Sequence, residues 1–147
     1  MARFKGRAEY SVDNKGRVAI PARMRSALNP EANSSFTITR GFERCIFCYP
    51  MDHWMTIEAE LSALNMYNRE SRHFVRSILQ WADEVTLDGQ GRIGIPKALA
   101  EFADISDRAL IIGVLDRIEI WNPDAFERNQ KEQDEDYETL AEKVMGP

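Results

Sequence analysis

Arg17 and Arg92 hold the same place in two short phrases, "VDNKGRVAIP" from Val12 to Pro21 and "LDGQGRIGIP" from Leu87 to Pro96. An arginine on a tight, solvated turn offers parallel N–H donors to a phosphate or to the O6/N7 edge of guanine. Lys15 adds a point charge suited to phosphate. Gln90 stands at its place in the second phrase, so that turn carries one charge less. Asp13 and Asp88 fit a different job. Aspartate favours an Asx-type turn, and Gly16 and Gly91 supply the positive φ that closes it. A carboxylate beside phosphate would be repelled, so the aspartates brace the turns. The alternative for each arginine is a surface ion pair with its own aspartate.

Cys45 and Cys48 give a C-x-x-C spacing in "ERCIFCYP". Redox pairs of that spacing belong near a βαβ unit. This segment reads instead as a strand, which sends the two side chains to opposite faces. His53 lies five residues beyond Cys48 and His73 is distant, so no zinc set is expected, nor any other cofactor. The chain has no Ser/His/Asp set, no paired carboxylates in an apolar setting and no phosphate loop. "GQG" at Gly89–Gly91 lacks a third glycine and the βαβ context. Enzymatic activity is not expected.

The elements that position these turns are written twice. At a shift of 75 residues Asp13 meets Asp88, Gly16 meets Gly91, Arg17 meets Arg92 and Pro21 meets Pro96. At a shift of 73, "FERCIFCYP" meets "LDRIEIWNP". Repeats decide architecture. Each copy reads as a strand, the Asp–Gly turn, a second short strand, and a helix starting at the proline. Met24, Ala27 and Leu28 recur at i, i+3, i+4, the apolar face of that helix. Two strands follow, about Phe36–Arg40 and Cys45–Tyr49, with counterparts Arg108–Gly113 and Ile118–Trp121. Each pair ends at a proline that opens another helix. Between the copies lie two helical segments, one with Trp54, Ile57, Leu61 and Leu64 on a face, the other with Phe74, Ile78 and Trp81. The segment after Asp124 begins as a helix. "NQKEQDEDYE" reads as mobile, with a weak amphipathic turn at Tyr137, Leu140 and Val144.

The chain has 147 residues, 44% apolar and 29% charged, the composition of a globular protein. No apolar run approaches the ~20 residues of a membrane span, and "MARFKGRAEY" is no signal peptide; a cytoplasmic protein with no membrane partner is expected. The net charge of −5 is uneven. Residues 1–25 hold seven basic groups against Glu9 and Asp13, whereas residues 116–147 hold ten acidic groups against four basic. That asymmetry implies a basic face for an anionic partner and a solvated acidic tail. Arg3, Lys5, Arg7 and Lys97 are secondary candidates for phosphate contact. Arg23 and Arg25 read as facing away on their helix.

The doubled Asp-x-x-Gly-Arg, each followed by an apolar residue and Ile-Pro, resembles the SpoVT-AbrB superfamily. "DNKGRVAIPARMR", the tandem spacing and the helical insert are similar to the MraZ family, over residues 3 to about 125. The resemblance implies an α+β fold in which two SpoVT-AbrB-like repeats form a pseudo-twofold swapped-hairpin β-barrel with added helices. It also implies a nucleoid-associated repressor of the division and cell-wall gene cluster, including its own operon. Such proteins form a closed ring, an octamer or similar, on repeated boxes of double-stranded DNA. The DNA-facing residues carry over onto Asp13-x-x-Gly16-Arg17 and Asp88-x-x-Gly91-Arg92; past about residue 130 no counterpart is evident.

The expected organisation is a first repeat over 3–54, a helical insert over 55–81, a second repeat over 82–126 and an acidic tail over 127–147. Trp54, Leu61, Phe74, Ile78 and Trp81 lie outside the repeat core and are candidate oligomer contacts. A competing reading is a protein-interaction module, either a ring scaffold or an antitoxin-like partner.

Overall fold

The computed structural model describes residues 2–147. The elements run β1 (Arg7–Ser11), β2 (Arg17–Ala19), α1 (Ala22–Ser26), a 3-10 turn (Pro30–Ala32), β3 (Ser35–Arg40), β4 (Ile46–Pro50), α2 (Met51–Ser62) and α3 (Arg69–Leu79). The second half follows with β5 (Asp83–Thr86), β6 (Arg92–Gly94), α4 (Lys97–Phe102), β7 (Arg108–Val114), β8 (Arg117–Trp121), α5 (Pro123–Lys131) and α6 (Tyr137–Met145). Proline sets four of the helix starts. Pro21, Pro50 and Pro96 directly precede α1, α2 and α4, each with extended backbone. Pro123 is the first residue of α5, where Asn122 accepts the Ala125 N–H at 3.0 Å. The fixed φ of proline suits a helix entry, and its missing N–H costs nothing there.

Strand pairing crosses between the copies. Six strands form one antiparallel sheet in the order β1-β7-β8-β4-β3-β5, and β2 pairs with β6 in a separate ribbon. Replacing each strand by its counterpart in the other copy reverses that order, as a twofold axis between β4 and β8 requires. In the ribbon Val18 lies opposite Ile93, the two residues that the 75-residue shift equates. The turn between β1 and β2 therefore does not close a hairpin of those two strands. Asp13 N–H reaches the Arg17 carbonyl at 3.0 Å, after which β1 goes to β7 and β2 to β6. The expected barrel is not closed: β1 and β5 are the two edges of the sheet.

Alternation along the strands builds two cores. Phe36, Ile38, Ile46, Cys48, Ile111, Ile118 and Ile120 face one side, where Val18 and Ile93 of the ribbon, Met24 of α1 and Leu99 of α4 pack on them. Phe47, Tyr49, Leu110 and Trp121 face the other side, against Trp54 and Leu61 of α2, with Val75, Ile78 and Phe126 alongside. Each fully buried Val or Ile contributes about 1.5–3 kcal/mol, which fastens the ribbon to the sheet. Cys45 and Cys48 are buried in opposite cores as free thiols, and burial pushes both thiols up in pKa. Neither has the depressed pKa of a reactive thiol.

Two further details differ from the sequence reading. Trp81 follows α3 rather than belonging to it, and packs tilted against Phe102 with ring centroids 5.2 Å apart. The stretch read as mobile is helical at both ends, in α5 up to Lys131 and in α6 from Tyr137. No helix among the described residues is long and apolar enough to cross a membrane.

Candidate nucleic-acid interface

The two turns are built alike. Asp13 Oδ1 accepts the N–H groups of Lys15 at 3.0 Å and Arg17 at 2.9 Å, while its Oδ2 takes Arg17 Nε at 2.7 Å. Asp88 Oδ1 accepts from Gln90 and Arg92, both at 2.9 Å, and its Oδ2 takes Arg92 Nε at 3.0 Å. The hydrogen bond from the arginine's own backbone N–H is the main cause that holds each carboxyl below its ordinary pKa. Gly16 and Gly91 have φ of 79° and 75°, the left-handed region that glycine enters freely.

The turns are then locked to each other. Ile20 N–H donates to the Gly91 carbonyl at 3.0 Å, and Ile95 N–H to the Gly16 carbonyl at 2.8 Å. These bonds extend the β2–β6 ladder at both ends. Because side chains alternate, Val18 and Ile93 point into the core and Arg17, Ala19, Arg92 and Gly94 point out. The register places Arg17 opposite Gly94 and Arg92 opposite Ala19. Two guanidinium groups thus stand diagonally on a ribbon whose other outward residues are small. A Cβ added at Gly94 would meet nothing within 4 Å.

The arginines are not equivalent. Arg92 Nη1 also lies 3.6 Å from Asp13 Oδ2, whereas Arg17 is held to its aspartate through Nε. The Arg17 side chain is 38% exposed and that of Arg92 26%. In both, the Nε contact fixes the plane of the guanidinium, which lowers the entropy cost of a later contact.

Interleaving brings a helix of each copy to the other copy's turn. A cleft beside the first turn is lined by Asp13, Lys15, Gly16, Lys97 and Ala100. Its counterpart beside the second is lined by Asp88, Gly89, Gly91 and Arg25. Arg25 Nε donates to the Ile20 carbonyl at 3.0 Å, and its guanidinium lies against Gly91. Arg25 therefore does not face away, as its helix position suggested. Its counterpart is Ala100, so nothing in the repeat marks it; only the crossing of the copies brings it there.

Of the basic candidates, Lys15, Arg17, Arg92 and Lys97 come together at the ribbon and its flanks. Arg3, Lys5 and Arg7 do not. Phe4 bridges to Leu115 and the Lys5 backbone lies against Gly113, at the end of β7 remote from the turn, which touches Asp107 through Val12 N–H. Arg7 is opposite Ile112, on the helix-covered side of the sheet, with Glu127 at 3.4 Å and the Phe126 ring beneath it.

The sequence model of one protein family, described as "MraZ protein, putative antitoxin-like", matches residues 3–77 and again residues 78–146. The chain belongs to the MraZ family. The double match agrees with the doubled turn and reaches past residue 130 into α6, where the sequence offered no counterpart. MraZ is a family of the regulator type.

Proposed function

We propose that this MraZ-family chain is a sequence-specific DNA-binding regulator that represses the division and cell-wall gene cluster, its own operon included, on the nucleoid in the cytoplasm. The observation that carries the reading is the outer face of the β2–β6 ribbon, with Arg17 and Arg92 held diagonally by Asp13 and Asp88. A two-stranded ribbon is slim enough for a major groove, and an arginine fork matches guanine O6/N7. Lys15, Lys97 and Arg25 flank the ribbon as phosphate contacts that set its register. The crossed pairing of the copies supports the swapped-hairpin form of the fold.

The protein works as a ring of identical chains. Trp54 and Leu61 are spent inside the chain, so Phe74, 46% exposed, and Ile78 beside it are the stronger subunit contacts. Trp81 packs on Phe102 of its own chain.

A gel shift on the DNA upstream of the protein's own gene tests the reading. Retarded bands at low salt, weakening steeply as salt rises, are expected from phosphate-dominated binding. Failure to shift that DNA at low salt would overturn it and favour the protein-interaction reading.

A further inference from the structure

In the second copy α5 and α6 stand where α2 and α3 stand in the first, and the family match over residues 78–146 spans them. The two helix pairs are used differently. α3 folds back on the sheet: Thr39 Oγ1 donates to the Ile78 carbonyl at 2.8 Å, and Val75 and Ile78 pack on the core beside Phe47 and Trp54. α6 gives no residue to either core. Tyr137, Leu140 and Val144 recur at i, i+3 and i+7, one stripe of the helix. The stripe is exposed, Tyr137 at 86% and Val144 at 76%, with Leu140 between them at 36%.

A groove of matching character opens on the α2–α3 layer, lined by Phe42, Phe47, Ile57, Leu61, Phe74 and Ile78. Phe42, at its edge, is 75% exposed. One rim is complementary in charge. Arg40 and Glu60 both border the groove, but α3 along its rim carries Arg69, Arg72 and Arg76 against Glu70. Residues 132–142 carry six acidic groups and no basic one. We propose that α6 of one copy lays its apolar stripe in the α2–α3 groove of the next copy. Each chain then has one donor and one acceptor, on different halves. Such a head-to-tail contact is heterologous and closes into a ring when the rotation allows. An amphipathic helix in an apolar groove is a common mode of recognition. The proposal rests on the ring within the proposed function and is independent of DNA contact.

The test mixes a Leu140→Cys chain with a Phe74→Cys chain and adds a short bis-maleimide; the native thiols are buried. A covalent heterodimer is expected, and a Leu140→Cys/Phe74→Cys chain should give a ladder of covalent oligomers. Tyr137→Glu/Val144→Glu should weaken self-association by at least about tenfold in sedimentation, as loss of central apolar anchors does, with unchanged circular dichroism. A double-cysteine chain that cross-links only within itself would overturn the proposal. So would an oligomer that forms no such cross-link, which leaves the ring standing. A monomer at micromolar concentration would overturn the docking and the ring together.

Discussion

Asp13 does three things with two oxygens: it accepts from the Lys15 and Arg17 backbones and holds the Arg17 guanidinium. The ion pair and the DNA contact are therefore compatible, because Nε is taken and the Nη donors form the fork. Arg17→Ala should lower affinity for specific DNA more than tenfold, since a charge-assisted contact contributes about 1.5–3 kcal/mol. Circular dichroism and the thermal midpoint should stay near wild type. Arg92→Ala should cost less, because Arg92 is less exposed and also leans on Asp13. Normal affinity in a folded Arg17→Ala protein would refute the assignment. The aspartates also fix a pH response. Both folded carboxyls titrate below the ordinary value of 3.8. Their stabilisation of the turns is complete above pH 3.8 and is lost as pH falls through the lowered folded values. Carboxyl carbon shifts of Asp13 and Asp88 should thus titrate below 3.8, and DNA affinity should show no step from these groups at neutral pH. A titration above 3.8 would contradict the bracing geometry. At this scale the sequence was legible where chemistry is local: an Asx turn with its own arginine lies within five residues. Arg3, Lys5 and Arg7 are near in sequence to the first turn, but the chain leading through β1 places them away from it. The sequence reading misplaced Arg25, whose position depends on which copy's helix meets which turn.

Strand boundaries were legible for a related reason. Prolines mark where β4 and β8 give way to helices, and alternation sorts Cys45 from Cys48 without reference to the rest of the fold. Pairing was not legible, because β1 and β2 form a plausible hairpin locally and only the joint burial of both copies favours the crossed arrangement. The ribbon is where that arrangement is most exacting, and its glycines test it. A Cβ at position 16 would lie 3.1 Å from the Ile95 carbonyl of the other copy, and one at position 91 would lie 2.6 Å from the Arg25 guanidinium. Both positions have φ in the left-handed region, where an L-residue costs about 1–2 kcal/mol. Gly16→Ala and Gly91→Ala should therefore each lower the thermal midpoint by several degrees. The causes differ, since a backbone carbonyl cannot yield as an arginine can. Gly91→Ala should displace Arg25 and weaken DNA binding beyond its effect on stability. Gly89→Ala is the control: its Cβ would meet nothing within 4 Å, so the midpoint should hardly move. Equal losses at all three positions would mean that the interlock does not constrain the turns.

The net charge of −5 describes the whole chain, but the surface proposed to meet DNA is the ribbon face, where Lys15, Arg17, Arg92, Lys97 and Arg25 gather; a local field is sufficient for phosphate-dominated binding. The form of the operator follows from symmetry. A twofold dimer presents its reading heads in opposite senses and so favours palindromes. Here the twofold relation lies inside one chain, between copies that differ at Lys15 against Gln90 and at Arg25 against Ala100. Chains joined head-to-tail offer the same Arg17-bearing ribbon in the same sense all round a ring. DNA lying along part of the rim then meets equivalent ribbons in series. The operator should accordingly consist of short G-containing boxes in direct repeat, about one helical turn, roughly 10 bp, apart. Two or more boxes should be needed, since each ribbon makes few contacts and linked binding supplies the rest of the affinity. Inverting one box, or adding about 5 bp, half a turn, between two, should reduce binding to that of a single box. Adding a full turn should restore part of it. Unchanged affinity for the inverted or half-turn DNA would exclude serial reading by a ring, even if Arg17 proves essential for contact with each box.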